Sequence, residues 1–315
     1  MRAVRVTGRT VEAGDLPEPL PGADELLIRV GYVGVCGTDR KLAQRGANPP
    51  RVPGHEVVGL LDDGTAVGVH PDVGCGRCAA CAAGYDNRCA DRVTVGLSRD
   101  GGLAELVAAP AGHVVPLGGV EVANGPLLEP LACCLHAVGR LGVVAGDDVL
   151  VVGAGPMGVL CMWALQAGGS RVTVVQRSAA RRALAERLGA DAVLGPEDAL
   201  NHAPAAAIVT APGEEPLDYA LRAVATGGRV HAFAGTPGGA CLDANTVHYR
   251  HLTLVGSTGS TLADYRKAVE LAGAGAIDLD RMPRTIVSLD GAARGLAEPT
   301  SDVFKLIATP GSETE

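Results

Sequence analysis

Over roughly the first 110 positions, apolar residues alternate with polar ones or gather in short runs. Residues 3–7 (AVRVT), 26–33 (LLIRVGYV), 57–61 and 103–109 show this strand-like pattern. Turn signals separate them: Pro17, Pro19 and Pro21, then Asp62-Asp63-Gly64, then Asp100-Gly101-Gly102. The pattern predicts a β-rich first domain. It changes at residues 127–141 (LLEPLACCLHAVGRL), where Leu131, Leu135 and Val138 follow helical spacing and Pro130 suits a first helical turn. An apolar strand at 148–152 then runs into glycines, an apolar helix follows, and a second strand (RVTVVQR) comes next. Further alternation through AAAIVTAPG, LDYALRAVATGGRVHAFAG and HLTLVGSTGS predicts an α/β domain, a parallel sheet with helices on both faces. A helix is expected over 264–273 and a strand at FKLIAT near the end. No internal repeat or low-complexity segment is present.

The 315 residues suggest two domains. Aromatic residues make up only 3%, so Val, Leu, Ala and Ile must fill the cores. The net charge of −8, without a long basic run, argues against nucleic acid and anionic membrane as partners. The N-terminus lacks a secretory h-region, and no run of about 18 apolar residues occurs, so a cytoplasmic protein without a membrane span is expected. Nine cysteines in such a chain point to metal rather than to a disulfide framework.

Cys75, Cys78, Cys81 and Cys89 have the C-x2-C-x2-C-x7-C spacing of a closed, structural tetrahedral Zn²⁺ site. Cys36, His55 and Glu56 supply a thiolate, an imidazole and a carboxylate, a donor set for a catalytic Zn²⁺ with an open position. Thr38 brings a hydroxyl next to that thiol. Glu129 opens the 127–141 helix and either faces the same site or is simply a carboxylate favoured near a helix N-terminus. Cys133 and Cys134 read as helix-packing residues, packing being one reading of His136 as well, and His70, His113, His202, His231, His248 and His251 read as surface or turn residues. Strand, Gly153-x-Gly155-Pro156-Met157-Gly158, helix and strand occur in the order of a dinucleotide-binding βαβ unit. Gly153 permits the turn, Gly155 the approach of a pyrophosphate, and Gly158 the packing of helix on strand. The second strand ends in Gln176-Arg177, with Arg181 following, where NAD-binding units usually carry a carboxylate. The missing carboxylate and the added guanidinium groups favour NADP(H) over NAD(H).

Cys36…His55-Glu56, the four-cysteine lobe, Glu129-Pro130-Leu131, the glycine motif and HYRHLTLVGSTGST, in that order, resemble the zinc-dependent branch of the medium-chain dehydrogenase/reductase superfamily. Within it they are similar to the polyol (sorbitol-type) and threonine dehydrogenases. The resemblance implies a GroES-like catalytic domain over 1–124 and 263–315 and a Rossmann domain, doubly wound, over 125–262, with the active site in the cleft between them. It implies a homodimer or homotetramer that moves a hydride between a nicotinamide cofactor and a secondary alcohol or ketone. The implied substrate is a small polar molecule such as a polyol, cyclitol or amino alcohol. In such enzymes the zinc ligands match Cys36 and His55, with Glu56 or Glu129 completing the shell, and the Thr38 hydroxyl contacts the reacting oxygen. One departure is Lys41, which stands where these families carry a relay histidine and either replaces it or leaves the proton exit elsewhere. Two other functions fit parts of the pattern: a non-catalytic NADP(H)-binding redox sensor, and a zinc-free quinone or enoyl reductase of the same superfamily.

Overall fold

The structure is a computed structural model that describes residues 1–298 and 303–311. Residues 299–302 and 312–315, within the C-terminal segment expected over 263–315, lie outside the described residues. The chain divides into two compact units, Met1–Ala132 with the segment from Ser260 onward, and Cys133–Gly259.

The first unit is the β-rich one. A seven-stranded sheet runs in the order 114–116, 66–69, 56–60, 25–35, 306–308, 285–287, with Leu106–Pro110 also paired to the long strand Glu25–Val35. Val30, Val33, Val57, Val67, Val69, Val107 and Leu306 fill its core, so β-branched residues do the work that aromatics do elsewhere. Two segments escape the alternation rule. Gly37–Arg45 is a helix, because Cys36 caps it and Asp39 in its first turn hydrogen-bonds back to the Cys36 N–H. Ala47–Arg51 is a strand despite two prolines; it forms one edge of a three-stranded sheet, where missing N–H donors are tolerated.

The second unit holds six strands, all parallel, in the order 192–194, 171–175, 148–152, 206–209, 229–232, 253–256. The direction of winding reverses between 148–152 and 206–209, and ligands of such sheets bind at the carboxyl ends of the strands beside that reversal. Helix Pro156–Ala167 is buried continuously from Gly158 to Leu165, which explains its apolar character on all sides. Among the described residues no helix is long and apolar enough to cross a membrane.

Two histidines expected at the surface or in turns are fully buried. His231 is 0% exposed, and its Nε2 meets Ser257 Oγ at 3.0 Å. His70 is also 0% exposed, with its Nε2 3.0 Å from the Ser260 carbonyl and its Nδ1 3.1 Å from His113 Nδ1. Polar partners at strand ends make these buried imidazoles tolerable. Donation from His70 Nε2–H to Ser260 leaves Nδ1 as an acceptor, so one proton fills the gap between the two rings. Burial is the main reason that both pKa values are depressed, His113 further lowering His70 and Arg266 lowering His113, while Asp72 and Asp86 work the other way. The unfolded chain therefore binds protons first as pH falls. The pair's contribution is complete above the ordinary histidine value and is lost below it, as pH drops toward the depressed folded values. We expect the stability from this source to fall as pH drops below roughly 6.5. Replacing His113 by Asn should flatten that slope in melting curves; equal slopes in the two proteins would show that the pair does not titrate with unfolding.

Candidate active site and metal centres

The candidate catalytic centre is built on two neighbouring strands and a helix. Gly34 and Glu56 sit opposite each other in antiparallel register, and Cys36 lies two residues beyond Gly34 at the cap of helix Gly37–Arg45. The ligand atoms of Cys36, His55 and Glu56 all lie within 4.8 Å of one another. His55 and Glu56 are buried, and Cys36 is half-buried. Thr38 is exposed, with Oγ1 3.8 Å from Cys36 Sγ. Lys41, one helical turn on, is also exposed.

Two residues of this centre were not singled out from sequence. The first is Asp39, fully buried. Its carboxylate accepts from the N–H groups of Cys36 at 2.8 Å and Gly54 at 3.0 Å and faces His55 Nδ1 at 3.2 Å. Burial opposes its charge, yet His55 and the two amides hold its pKa low. Burial likewise opposes a charge on His55, while Asp39 and Cys36 raise its pKa well above the ordinary value. Nδ1 is thus committed to Asp39, which leaves Nε2 as the available donor atom, the orientation found in carboxylate–histidine–metal arrangements. The sequence signal was there: an acidic residue three positions past a helix cap.

The second is Lys305, 6% exposed, whose Nζ reaches Glu56 Oε1 at 2.7 Å and also contacts Oε2. Burial opposes its charge, but Glu56, Cys36 and Glu129 raise its pKa. No sequence rule links residues this far apart; strand pairing of Leu306 with Val35 brings them together. Glu129, buried in the first turn of helix Leu128–Leu141, acts on Lys305 and Tyr265 through its charge but does not join the three-ligand cluster.

The four thiols of Cys75, Cys78, Cys81 and Cys89 also converge within 4.8 Å. The N–H groups of Arg77 and Cys78 point at Cys75 Sγ and pull its pKa down to about 6, while burial drives Cys81 up to about 12. Four sulfurs at this spacing, one already stabilised as a thiolate, fit a closed metal site. The three-donor cluster fits an open one.

In the second unit a cavity of about 900 Å³ is lined by Gly153, Gly155, Gln176, Arg177 and Arg181, at the carboxyl ends of strands 148–152 and 171–175. The three glycines behave differently. A Cβ on Gly158 would lie 2.0 Å from the Gly153 carbonyl oxygen, whereas one on Gly155 would meet nothing within 4 Å. Gly153 has φ +110°, which only glycine adopts without strain. Pro156, Met157 and Gly158 open the helix behind the cavity rather than lining it. Arg182 donates from Nη1 to the carbonyls of Gln176 at 2.9 Å and Arg177 at 2.7 Å, bracing the loop that carries both.

Comparison with known proteins agrees with this geometry. Residues 22–119 match the alcohol dehydrogenase GroES-like domain, and residues 156–274 match the zinc-binding dehydrogenase domain. The chain is 34% identical over 289 residues, 84% of each protein, to L-galactonate-5-dehydrogenase of Escherichia coli K12. It is 30% identical over 303 residues, 87% of each, to L-threonine 3-dehydrogenase of Pyrococcus horikoshii. A zinc-binding dehydrogenase structure from Sinorhizobium meliloti 1021 with bound NADP superposes with a TM-score of 0.90 at 31% identity, covering 98% of this chain and 99% of the other. The expected α/β fold, with its GroES-like and Rossmann parts, is thereby confirmed, and the chain belongs to the zinc-type medium-chain alcohol dehydrogenase family, in its polyol- and threonine-dehydrogenase-like branch.

Proposed function

We propose that this enzyme interconverts a secondary alcohol and its ketone on a small, polar, polyhydroxylated substrate, with NADP(H) favoured over NAD(H). The observation that carries the reading is the convergence of Cys36, His55 and Glu56 beside the Thr38 hydroxyl. Cys36 and His55, with Glu56 or Glu129, would hold one Zn²⁺, and the four cysteines of 75–89 a second, structural one. When bound, the metal supplies Lewis-acid polarisation of the substrate oxygen and the nicotinamide supplies the hydride site.

This chain's own residues do the rest. Asp39 fixes the ring of His55. Thr38 Oγ1 accepts the proton of the reacting hydroxyl as it gives up its own, and Lys41, on the same face of the helix, takes up that proton as a neutral amine and releases it to solvent. Gly155 leaves room for the pyrophosphate. Gln176 accepts from a ribose hydroxyl, and Arg177 and Arg181 hold a 2′-phosphate that no carboxylate at this strand end repels. The related enzymes named above act on a sugar acid and a hydroxy amino acid, which supports a polar, hydroxylated substrate class. The open outer edge of the terminal strand Thr253–Gly256, with Leu254 37% exposed, supports a homo-oligomer.

The test combines metal analysis with turnover of polyols, cyclitols, sugar acids and amino alcohols using both cofactors. We expect two zinc ions per chain and a preference for NADP(H) of roughly one to two orders of magnitude. Arg177→Ala should lower kcat/KM for NADP(H) alone, and Lys41→Ala should lower turnover by about 10²-fold. Equal or better use of NAD(H) by the wild type would overturn the cofactor assignment. A protein that carries both zincs and binds NADP(H), yet turns over none of these substrates or their ketones, would instead be the redox sensor.

A further inference from the structure

A second cavity, of about 650 Å³, lies in the first unit among the strand Arg2–Gly8, the proline-rich segment around Pro17 and Pro19, the strand Ala47–Arg51 and the loop around Asp100. Its volume is that of a small-molecule pocket. Three guanidinium groups line it, Arg5, Arg51 and Arg99, against two carboxylates, Glu18 and Asp100. The charges are unevenly spent. Arg99 is held by Glu25 at 2.6 Å and by the Ala108 carbonyl at 3.0 Å. Arg51 shares Asp100, at 3.4 Å, with the Val52 N–H. Arg5 has no ion-pair or hydrogen-bond partner for its side chain among the described residues, although Glu12 stands opposite it across the strand pair. Beside these charges the wall is apolar, formed by Leu16, Pro19, Leu20, Pro50 and Val93. Leu20 is 92% exposed and Val93 40% exposed, an unusual placement for large aliphatic side chains.

The floor of this cavity is bonded to the loop that carries His55. Gly101 N–H donates to the Val52 carbonyl at 2.8 Å, Gly102 N–H to Gly54 at 2.9 Å and Leu103 N–H to Pro53 at 3.0 Å. Packing there is tight: a Cβ on Gly96 or Gly101 would lie 2.4 or 2.2 Å from the Gly54 carbonyl oxygen. Val52 and Gly101, which line the cavity, therefore cannot move without moving Pro53-Gly54-His55.

We propose that this cavity binds a small organic anion, a carboxylate on an apolar body, and that its occupancy is transmitted to the His55 loop. The carboxylate pairs with Arg5 and reaches Arg51, while the body covers Leu20 and Val93. Neither the reaction nor the cofactor site uses any of these residues, so the site is regulatory in kind, and its ligand need not resemble the substrate.

The experiment uses benzoate as probe and benzamide as its neutral counterpart, on the intact enzyme with its metals, with calorimetry and amide hydrogen exchange as readouts. The expected result is saturable binding of one benzoate, weakened about tenfold by Arg5→Ala, with no binding of benzamide. Benzoate should also raise protection of the amides of residues 54–57. Three results would each overturn the proposal. One is no saturable binding of benzoate to about 10 mM, an affinity too weak to specify a site. Another is binding unchanged in Arg5→Ala, which would place the anion at the zinc or on the arginines of the second unit. The third is binding at Arg5 that leaves the amides of residues 54–57 unaffected, which would remove the transmission. None of these readouts depends on turnover, so the result stands apart from the substrate and cofactor assignments.

Discussion

Replacing Lys305 by Met is expected to lower stability by about 3–5 kcal/mol. Lys305 is the one ammonium held against Glu56 Oε1 and Oε2, and both side chains are almost wholly buried, at 7% and 1% exposure. Removing the lysine strands a carboxylate where water cannot reach it, and the desolvation penalty is then uncompensated. The size of the effect comes from that stranded partner rather than from the net value of the pair. A double variant, Lys305→Met with Glu56→Leu, should therefore recover most of the loss in stability while destroying the candidate metal site. Denaturant midpoints of wild type, single and double variants make the comparison. A single variant within about 1 kcal/mol of wild type would mean that Glu56 finds another partner.

Gly34→Ala is expected to remove the proposed catalytic zinc while leaving the proposed structural one. A Cβ at this position would lie 1.7 Å from Glu56 Oε2 and 2.8 Å from its Cδ. Glu56 cannot step aside cheaply, because Lys305 grips both of its oxygens and the strands fix Gly34 opposite it. Overpacking of this kind typically costs about 1–3 kcal/mol, and displacing a group that holds or orients a metal typically costs about 10–100-fold in metal affinity or activity. Gly14→Ala is the natural control, since a Cβ there meets nothing within 4 Å. Zinc content should fall from two to one per chain in Gly34→Ala and stay at two in Gly14→Ala. Retention of both zincs and of turnover in Gly34→Ala would show that Glu56 is neither ligand nor positioning group, and Glu129 would become the stronger candidate.

Much of the molecule can be read from short-range pattern. The parallel sheet of the second unit follows from apolar strands such as DVLVV and RVTVV spaced by helices, and the glycine motif marks its ligand end, because each depends on residues within a few positions of one another. The four-cysteine lobe is legible for the same reason: its thiols lie within one loop, and the structure brings them together. Cys36, His55 and Glu56 could be nominated by donor type, and the fold places them within 4.8 Å. Local pattern fails where the deciding partner is remote or where a polar contact overrides a preference. The prolines of Ala47–Arg51 argue against a strand, yet an edge position accepts them. His70 and His231 look like surface residues, because nothing nearby in sequence reveals Ser260, His113 or Ser257 waiting for their nitrogens. Lys305 reads as an ordinary strand-flanking lysine, and only the pairing of Leu306 with Val35 sets its ammonium on Glu56. The sequence by itself determined which donors, glycines and periodicities exist, since those are properties of residue type and spacing. Which carboxylate is gripped, which imidazole is oriented and which charges are buried was decided by tertiary structure, because desolvation and pairing energies depend on neighbours that the chain supplies from hundreds of residues away.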